Sequence, residues 1–455
     1  MTPSIDLRQH CLAGGPQPVA LSAHGSFSRD QLRERASTLG QALAARPEQR
    51  WGIWYQDAWD FLCGFMALAL AGKQIVMPHN MQAGTAHQLA RAFDVLLTDA
   101  PLPELAKTQL TPDRLIQGPR SDLPSPDTSI ELVLFTSGST GEPQPVHKTL
   151  VLLESELATL QRCFGDQMGK ASVISTVSHQ HIYGLLHSVL WPWWRGAPFV
   201  VAPCQYPEEL VKRLAEWQPA TLVSSPTHLS RLPQAPAFQA QPGGLAEIVS
   251  SGGPLAEQYA LAMAELTGRA PLEILGSTET GGVAWRRRTE GDRWEPLPGV
   301  AISLSSQGCL RVNSPHLGSE DSFDMGDRAE VFEDGRFALL GRADRVVKVE
   351  GKRLSLTEMQ KHLESHPAIA SARVTVVRGR REEVGVVATL SREGQTLLDA
   401  QGKLALNQRL RRDLLAYFEA PLLPRRWRYV DNLPYNAQGK VTETDLQTLL
   451  TGSHR

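Results

Sequence analysis

Hydrophobic positions along the N-terminal part of the chain follow two alternating spacings. Leucine and alanine recur every three to four residues at positions 32, 36, 39 and 43, which predicts an amphipathic helix that begins near Arg29. Trp51, Ile53 and Tyr55 then recur at every second residue, as in a half-buried strand. The same alternation predicts helices at 58–71 and 150–161 and strands at 74–77, 131–135, 172–177 and 221–224. Helices and strands in alternation predict an α/β body, in which helices cover the sheets.

The texture of the sequence changes after Gly341. A charged strand is predicted at 345–349, a helix at 358–364 and a further strand at 372–377. Ser355 precedes Glu358 by three residues, which is the spacing of a capping box at the start of that helix. These elements predict a small α+β domain at the C-terminal end. The segment 114–127, rich in Pro, Ser and Asp, is predicted to be a surface connection within the larger domain.

Composition and charge exclude several classes of protein. Hydrophobic residues make up 42% of the chain and charged residues 21%, as in globular proteins, and the formal net charge of -2 provides no basic surface for nucleic acid. The apolar run 61–71 is shorter than the ~20 residues that span a bilayer, and residues 1–12 lack the pattern of a secretory signal. The five cysteines form no Cys-x-x-Cys pair, so neither a disulfide framework nor a structural zinc site is expected. We therefore expect a cytoplasmic protein with no membrane span.

A stretch rich in hydroxyl groups and glycine follows the apolar strand 131–135 directly. Its residues are Thr136, Ser137, Gly138, Ser139, Thr140, Gly141, Glu142 and Pro143. Glycine lets the backbone approach a polyphosphate closely, and hydroxyl and amide groups donate hydrogen bonds to its oxygens. By composition alone, an ordinary Ser/Gly-rich loop stays open as an alternative. A Walker A loop is disfavoured, because Lys148-Thr149 follows His147 where that motif requires glycine.

Five further segments downstream carry residues suited to nucleotide chemistry. They are Ser251-Gly252-Gly253-Pro254-Leu255, Gly276-Ser277-Thr278-Glu279, Gly326-Asp327, Gly341-Arg342-Ala343-Asp344 and Leu433-Pro434-Tyr435-Asn436-Ala437-Gln438-Gly439-Lys440. Taken singly, each fits a structural role, such as a turn cap for Asp327 or a surface charge for Lys440. Taken together with the hydroxyl-rich loop, their order over residues 20–445 resembles the adenylate-forming superfamily: acyl-CoA synthetases, luciferases and the adenylation domains of peptide synthetases.

The resemblance implies a set of residues that bind ATP and its Mg²⁺. These residues are Thr136, Ser137, Gly138, Ser139, Thr140, Gly141, Gly252, Gly253, Gly276, Ser277, Asp327 and Arg342. Gly252 and Gly253 would lie between the adenine and the acyl pocket, and Asp327 and Arg342 would contact the ribose. Glu279 is the implied metal ligand, because Mg²⁺ prefers carboxylate and phosphate oxygens.

The resemblance also implies the catalytic residues. The Thr278 hydroxyl and the Glu279 carboxylate would act at the α-phosphate, and the Lys440 ammonium would approach it in one orientation of the C-terminal domain. His181, in the segment His181-Ile182-Tyr183-Gly184, would lie at the substrate carboxylate, although a packing role stays open for a lone histidine. The implied architecture is a large multi-sheet adenylation domain over residues 1–343 and a small mobile α+β domain over 344–455, with a hinge at Asp344.

Two features bear on the substrates. Adenylation domains for amino acids place an aspartate near His181 to pair with the substrate ammonium, and residues 177–187 contain no Asp or Glu. We therefore expect a non-amino aryl or medium-chain acid in a mostly apolar pocket near Tyr183, Gly252 and Gly253. No carrier-protein sequence follows Lys440, so the expected acceptor is CoA or the phosphopantetheine thiol of a separate acyl carrier protein. The tryptophans at 191, 193 and 194 fit core packing better than pocket lining.

Departures from the family pattern keep other functions open. Gln144 and Pro145 replace the usual lysine and glycine of the loop, with Lys148 as a candidate substitute, and Leu275 replaces a tyrosine that stacks on adenine. A non-catalytic nucleotide-binding relative is the alternative function. It is disfavoured because the acidic and basic residues of the active site, Lys440 among them, are all retained. A structural scaffold is disfavoured too, because no repeat or heptad is visible.

Overall fold

The computed structural model describes residues 5–78, 81, 89–102, 105, 107–125, 128–137, 143–318, 321–342, 345–349, 352–377, 383–418, 420–436 and 440–452. The chain divides into two compact units. The N-terminal unit comprises Met1–Ile302, Val312–Phe323 and Glu333–Arg336, and the C-terminal unit comprises Ser303–Arg311, Asp324–Phe332 and Phe337–Arg455. The expected hinge, Asp344, lies outside the described residues, and the boundary between 343 and 344 stays a prediction.

The helices of the described part of the chain are mostly short. In chain order they are α1 Leu7–Ala13, α2 Arg29–Ala44, α3 Ala58–Leu70, α4 Pro112–Ile116, α5 Leu150–Met168, α6 Ile182–Gly184, α7 Trp191–Arg195, α8 Pro207–Trp217, α9 Pro226–Leu229, α10 Pro236–Ala240, α11 Glu257–Thr267, α12 Leu356–Glu364, α13 Arg392–Leu414 and α14 Glu443–Thr451. A π-helical turn, Leu185–Leu190, joins α6 to α7, and 3₁₀ turns occur at Leu232–Gln234, Arg288–Glu290 and Ala420–Leu422.

Strands alternate with these helices throughout the N-terminal unit. In chain order the strands are β1 Pro18–Ser22, β2 Gly25–Ser28, β3 Arg50–Trp54, β4 Gln74–Met77, β5 Val95–Thr98, β6 Thr108–Leu110, β7 Glu131–Ser137, β8 Pro143–Thr149, β9 Ser172–Ser175, β10 Phe199–Val200, β11 Ala220–Ser224, β12 Leu245–Ser250, β13 Leu272–Ser277, β14 Gly281–Arg286, β15 Glu295–Pro296, β16 Ala301–Leu304, β17 Cys309–Asn313, β18 Phe323–Val331, β19 Phe337–Arg342, β20 Val346–Val349, β21 Lys352–Ser355, β22 Ile369–Val377, β23 Glu383–Leu390 and β24 Arg426–Tyr429.

Two largely parallel sheets form the framework of the N-terminal unit. One has the strand order β6-β5-β3-β4-β7-β8, in which β8 alone is antiparallel to its neighbour. The other has the order β15-β14-β13-β12-β11-β9-β10-β1-β2, with antiparallel pairs at both ends and parallel pairs between β13 and β1. Parallel strands need crossover connections, which the helices provide. The expected α/β fold is confirmed.

The hydrophobic spacing located most elements, but it misjudged the burial of β3. Helix α2 buries the four positions expected from its spacing, and α3 is buried along its length. Strand β3 was expected to be half-buried, yet Trp51, Gly52 and Ile53 are all buried. The reason is that β3 lies between β4 and β5 in a parallel sheet, whose two faces are both covered.

The connection expected at 114–127 is only partly irregular. Helix α4 extends to Ile116, and its Leu115 side chain is buried, so the first residues of this segment pack against the body. No described helix has the length and apolar character needed to span a bilayer.

The C-terminal unit contains smaller sheets. Most residues of the sheet β16-β17-β18-β19 belong to it, together with the hairpin β20-β21 and the sheet β22-β23-β24. Helix α12 begins as expected, because the Ser355 hydroxyl accepts a hydrogen bond from the Glu358 backbone N–H at 3.1 Å. The core of the C-terminal unit includes Met359 of α12, Leu410 of α13 and Trp427 of β24, which are all buried. The α+β character expected for this part of the chain is confirmed.

Candidate functional site

The hydroxyl-rich loop and the Gly276–Glu279 segment occupy equivalent positions in two different sheets. The loop connects β7, which is parallel to β4, to the antiparallel strand β8. The second segment ends β13, which is parallel to β12, and leads into the antiparallel strand β14. Each segment therefore lies at the carboxyl end of the last parallel strand of its sheet. Open α/β sheets bind ligands at this end of their strands.

The described part of the hydroxyl-rich loop consists of its two flanks. Thr136 lies opposite Gln144, and Ser137 lies opposite Pro143, in the antiparallel pairing of β7 with β8. The remaining expected phosphate-binding residues, Gly138, Ser139, Thr140 and Gly141, lie outside the described residues. The pairing brings the two ends of the loop together, which is the geometry of a hairpin connection.

Hydrogen bonds within the turn after β13 fix the backbone around Thr278 and Glu279. The Ser277 backbone N–H donates to Thr280 Oγ1 at 3.1 Å, and the Thr280 N–H donates to Ser277 Oγ at 3.2 Å. Both Thr278 and Glu279 are partly exposed. Gly276 is required at the base of the turn, because a Cβ there would lie 2.4 Å from the Gly281 carbonyl oxygen. The hydrogen bonds of Ser277 and Thr280 thus fix the turn in which Thr278 and Glu279 lie, and the roles expected of these two residues stay predictions.

Lys148 supports this turn, which differs from the role considered for it. Its side chain is buried, and Nζ donates to the carbonyl oxygens of Glu279 at 2.8 Å and His316 at 2.6 Å. Burial lowers the pKa of Lys148, while the nearby carboxylates of Glu156 and Glu279 oppose that change. These two contacts engage the ammonium and disfavour the role of the loop lysine that Gln144 replaces. The substitution of Lys148 for that lysine stays a prediction.

Two further buried groups hold the start of β14, and neither was identified from the sequence. Glu156 Oε1 accepts a hydrogen bond from the Gly282 N–H at 2.6 Å. His316 Nδ1 lies 3.2 Å from the Gly282 carbonyl oxygen, and its Nε2 lies 3.2 Å from Thr159 Oγ1. Because a carbonyl only accepts, Nδ1 of His316 carries a proton. Nε2 then accepts from the Thr159 hydroxyl, and the His316 imidazole is neutral. Burial lowers the pKa of His316, which agrees with this assignment.

The segment after β12 lies beside this turn. Strands β12 and β13 are parallel neighbours, so Ser251 and Gly252 follow the carboxyl end next to that of β13. The Ser251 hydroxyl donates to the Ile274 carbonyl oxygen of β13 at 2.8 Å, which ties the two strand ends together. Gly252 has φ +89°, in the left-handed region that favours glycine, and both Gly252 and Gly253 are exposed. These glycines are therefore open to a ligand.

Two residues expected near the acyl pocket, His181 and Tyr183, lie in the segment that begins α6, and the Tyr183 side chain reaches the carboxyl ends of two neighbouring strands. His181 is the residue before α6, and its carbonyl accepts from the Leu185 N–H at 2.7 Å. The Tyr183 hydroxyl lies 2.9 Å from the Ser224 carbonyl at the end of β11 and 3.0 Å from the Val249 carbonyl in β12. The π-helical turn Leu185–Leu190 follows directly, and such turns are frequent at functional sites. Tyr183 thus anchors the His181 segment to the ends of β11 and β12.

The neighbouring tryptophans are packing residues, as expected, and two neighbouring histidines are buried with them. His179 and His187 are buried, and burial lowers their pKa values to about 4 and about 3. Trp191 and Trp193 are buried in the main hydrophobic core, and Trp194 packs against that core.

The C-terminal unit pairs two of the expected nucleotide-binding positions. Asp327 of β18 lies directly opposite Arg342 of β19 in their antiparallel register. Lys440 is exposed, and its backbone N–H donates to Asn436 Oδ1 at 2.9 Å. The Asn436 N–H in turn donates to the Lys440 carbonyl at 2.8 Å, so two hydrogen bonds join Asn436 and Lys440.

Comparison with known proteins identifies the family. The family model described as AMP-binding enzyme matches residues 8–310, which is about two thirds of the chain. The chain belongs to the AMP-binding enzyme family. The match includes the hydroxyl-rich loop, the Gly252–Gly253 segment and the Glu279 turn, whereas Asp327, Arg342 and Lys440 lie beyond it. The resemblance to the adenylate-forming superfamily is thereby confirmed.

Relatives of this AMP-binding enzyme include ligases for aromatic acids. A 4-coumarate–CoA ligase of Cereibacter sphaeroides is 27% identical over 317 residues, which cover 68% of this chain and 69% of that protein. An anthranilate–CoA ligase of Pseudomonas aeruginosa is 27% identical over 356 residues, which cover 69% and 66% of the two chains. The structure of an ATP-bound RpMatB-BxBclM chimera superposes over 100% of both chains with a TM-score of 0.81 at 19% identity, which shows a shared fold.

The donor groups of the site fit the magnesium ion that ATP-dependent members of the AMP-binding enzyme family use. Within the described ranges, no three His, Cys, Asp or Glu side chains form a group that could hold a metal ion by themselves. Mg²⁺ in nucleotide sites is bound by one or two carboxylates together with substrate phosphates. A single partly exposed carboxylate, that of Glu279, at a strand end next to the nucleotide segments matches this requirement.

Proposed function

We propose that this chain is an AMP-forming acid–thiol ligase. A carboxylate oxygen of the substrate attacks the α-phosphorus of ATP, and the bond to pyrophosphate breaks, which leaves an acyl adenylate. A thiol sulfur then attacks the acyl carbon, AMP departs, and the thiol proton is released. The observation that carries this proposal is the hydrogen-bonded turn at 277–280, which holds Thr278 and Glu279 beside the open Gly252–Gly253 segment.

The adenylation step requires positive charge at the α-phosphate. The attacking carboxylate and the triphosphate are both anions, so groups that stabilise the charge in the transition state have the largest effect on the rate. Glu279 would hold the Mg²⁺ that accompanies ATP, and the ion would supply positive charge to the phosphates. The Thr278 hydroxyl is placed on the same turn to donate to a phosphate oxygen, and Lys440 supplies the second cation to the carboxylate and α-phosphate. Asp327 and Arg342, opposite each other on β18 and β19, act on the ribose.

The two half-reactions use the C-terminal domain differently in this proposal. Residues 344–455 move about a hinge at Asp344, so that Lys440 serves adenylation and then withdraws while the thiol enters. Such movement requires hinge residues between rigid bodies. The change of composition after Gly341 and the exposure of Lys440 support this step.

The acid is a non-amino aryl or medium-chain acid. The relatives named for 4-coumarate and anthranilate support an aromatic substrate. Residues 177–187 offer no carboxylate for a substrate ammonium, and Tyr183 is committed to backbone carbonyls at the ends of β11 and β12. His181 lies at the start of the same segment and orients the substrate carboxylate. The acceptor is CoA, as the relatives' names favour, or the phosphopantetheine thiol of a separate acyl carrier protein.

The test is ATP–pyrophosphate exchange with a panel of aryl, fatty and amino acids. We expect exchange to depend on an aryl or medium-chain acid and to be absent with amino acids. The Lys440→Ala variant is the control, because it should retain ATP binding and lose exchange. Thioester formation with CoA and with a purified carrier protein then identifies the acceptor. Absence of exchange across the panel, with measurable ATP binding, would favour a non-catalytic relative.

A further inference from the structure

A buried lysine joins the two nucleotide-binding motifs of the N-terminal unit. Lys148 lies on β8, the strand that follows the hydroxyl-rich loop in the six-stranded sheet. Its Nζ donates to the carbonyl oxygen of Glu279, which lies in the turn after β13 of the nine-stranded sheet. The same ammonium donates to the carbonyl of His316, in the loop after β17. One side chain on β8 therefore contacts two segments that are distant from it in sequence.

The surroundings of this ammonium are polar and closed to solvent. Lys148, Glu156 and His316 are 4%, 4% and 0% exposed. Glu156 and Thr159 lie on α5, which begins directly after β8. Glu156 binds the Gly282 N–H at the start of β14, and Thr159 contacts His316, whose ring binds the Gly282 carbonyl. Lys148 thus holds the Glu279 turn, while Glu156, Thr159 and His316 hold the start of β14.

We propose that Lys148 is a positioning residue that sets the Glu279 turn relative to β8, the strand that follows the hydroxyl-rich loop. The Lys148 ammonium fixes the backbone of Glu279. The position from which the Glu279 carboxylate reaches the metal and nucleotide is therefore fixed as well. Loss of a charged donor to a buried carbonyl costs more free energy than loss of an ordinary hydrogen bond. The turn is then expected to shift toward another donor. This inference rests on the proposed adenylating function, because the consequence is a displaced Mg²⁺ and ATP site.

The decisive variant is Lys148→Met, which keeps a similar length and removes the charge and the donors. We expect KM for MgATP to rise about tenfold or more and the Mg²⁺ concentration needed for half-maximal exchange to rise with it, whereas KM for the acid changes little. Calorimetric titration with MgATP, in the absence of any acid, gives the same comparison without turnover.

A matched control is available in the same unit. Lys73 is also 4% exposed, and its Nζ donates to the Arg46 carbonyl at 2.8 Å, away from both nucleotide motifs. Lys73→Met should therefore lower the melting temperature without changing KM for MgATP. If Lys148→Met and Lys73→Met show the same loss of stability and the same unchanged KM, Lys148 is a structural residue only and the inference is overturned.

A second pair of variants separates tethering from charge. Glu156→Gln keeps the acceptor for the Gly282 N–H and removes the negative charge that Lys148 balances. The double variant Lys148→Met/Glu156→Gln should recover stability relative to Lys148→Met, yet KM for MgATP should stay high, because the Glu279 carbonyl is still not held. Recovery of KM together with stability would assign the defect to an unbalanced charge and contradict the tether. If Lys148→Met does not fold, the double variant takes its place, and an unchanged KM for MgATP in the double variant contradicts the tether. Lys148→Arg, which retains a cationic donor, should keep KM for MgATP nearer the wild-type value than the double variant does.

The outcome for the proposed function is distinct from these results. If none of the acids in the panel supports ATP–pyrophosphate exchange by the wild-type protein, the proposed function is contradicted, whatever the variants do in calorimetry. Wild-type protein that exchanges, with Lys148 variants of unchanged KM for MgATP, contradicts only the role assigned to Lys148.

Discussion

The turn that carries Glu279 and the segment that carries Lys440 hold their charged side chains in opposite ways. Behind the turn, the buried side chain of Lys148 binds the Glu279 backbone. The buried side chains of Glu156 and His316 bind the backbone of Gly282, at the start of β14. Lys440 is exposed, and the described hydrogen bonds around it are backbone contacts with Asn436. The Glu279 turn is therefore fixed by a buried side chain, whereas Lys440 lies at the surface and is joined to Asn436 through its backbone.

This contrast matches the different demands of two half-reactions at one site. The metal and phosphate ligands have to be in place before the acid arrives, and preorganised groups avoid a reorganisation cost during the reaction. A lysine that serves only adenylation must leave when the thiol enters. In the proposed mechanism Lys440, whose hydrogen bonds in the described part of the chain are made by its backbone, is delivered and withdrawn with the C-terminal domain.

The largest effect is expected from Lys440→Ala. Loss of a preorganised donor at the transition state typically costs ~3–4 kcal/mol, so adenylate formation should fall by roughly a hundredfold to a thousandfold. Thioester formation from a presupplied acyl adenylate should stay near the wild-type rate. Both rates are measured by following adenylate and thioester separately.

Lys361→Ala is the matched control for that experiment, because Lys361 is an exposed lysine on α12 of the same unit. It should leave both half-reactions unchanged. Equal losses of adenylation and thioester formation in Lys440→Ala would remove the distinction between the fixed and the delivered charge.

A smaller effect is expected from Glu279→Gln. The amide keeps the shape of the side chain and weakens the interaction with Mg²⁺, and a hydrogen bond or contact to a charged group is worth ~1.5–3 kcal/mol. We expect about a tenfold to hundredfold loss of exchange activity that higher Mg²⁺ partly restores. Glu265→Gln, on the exposed face of α11, is the control. Loss of activity that does not depend on the Mg²⁺ concentration would argue against Glu279 as the metal ligand.

The sequence predicted the local features of the site better than its supports. Gly276 and the hydroxyl residues around it are adjacent in the chain, so their common purpose is visible as a motif. Lys148, Glu156 and His316 come together only when two sheets pack, and no short-range spacing connects them. One signal was present: Glu156 falls among the buried leucines Leu153, Leu157 and Leu160 of α5, where a carboxylate requires a partner.

The fold shows the same division between local and long-range information. Hydrophobic spacing located α2, α3 and β4 because periodicity is a local property. The strand order is not local, since β1 pairs with β10 across most of the N-terminal unit. The half-buried expectation for β3 was wrong for this reason: its burial depends on neighbours that its own spacing does not reveal.

The smallest expected effect concerns stability, and it separates burial from nucleotide binding. His187 is buried, its Nδ1 has no hydrogen-bond partner among the residues that the structure describes, and burial lowers its pKa from 6.5 to about 3. Between these values the unfolded chain binds a proton that the folded chain does not, so the contribution of His187 to stability is fully present above pH 6.5 and is lost as the pH falls toward 3. This amounts to about 2 kcal/mol between pH 7 and pH 5.

The His187→Phe variant tests that contribution by denaturant unfolding at several pH values. Its free energy of unfolding should depend less steeply on pH than that of the wild type, by about 2 kcal/mol between pH 7 and pH 5. The comparison between variant and wild type is needed because Glu154, whose pKa burial raises to about 7, changes stability in the opposite direction over part of this range. His24→Phe, at an exposed position, should leave the dependence unchanged. An equally steep pH dependence in His187→Phe would show that this buried histidine does not govern acid sensitivity. A flatter dependence with an unaltered KM for MgATP would show that the burial of His187 affects stability alone. The buried groups behind the Glu279 turn would then be the ones that affect nucleotide binding.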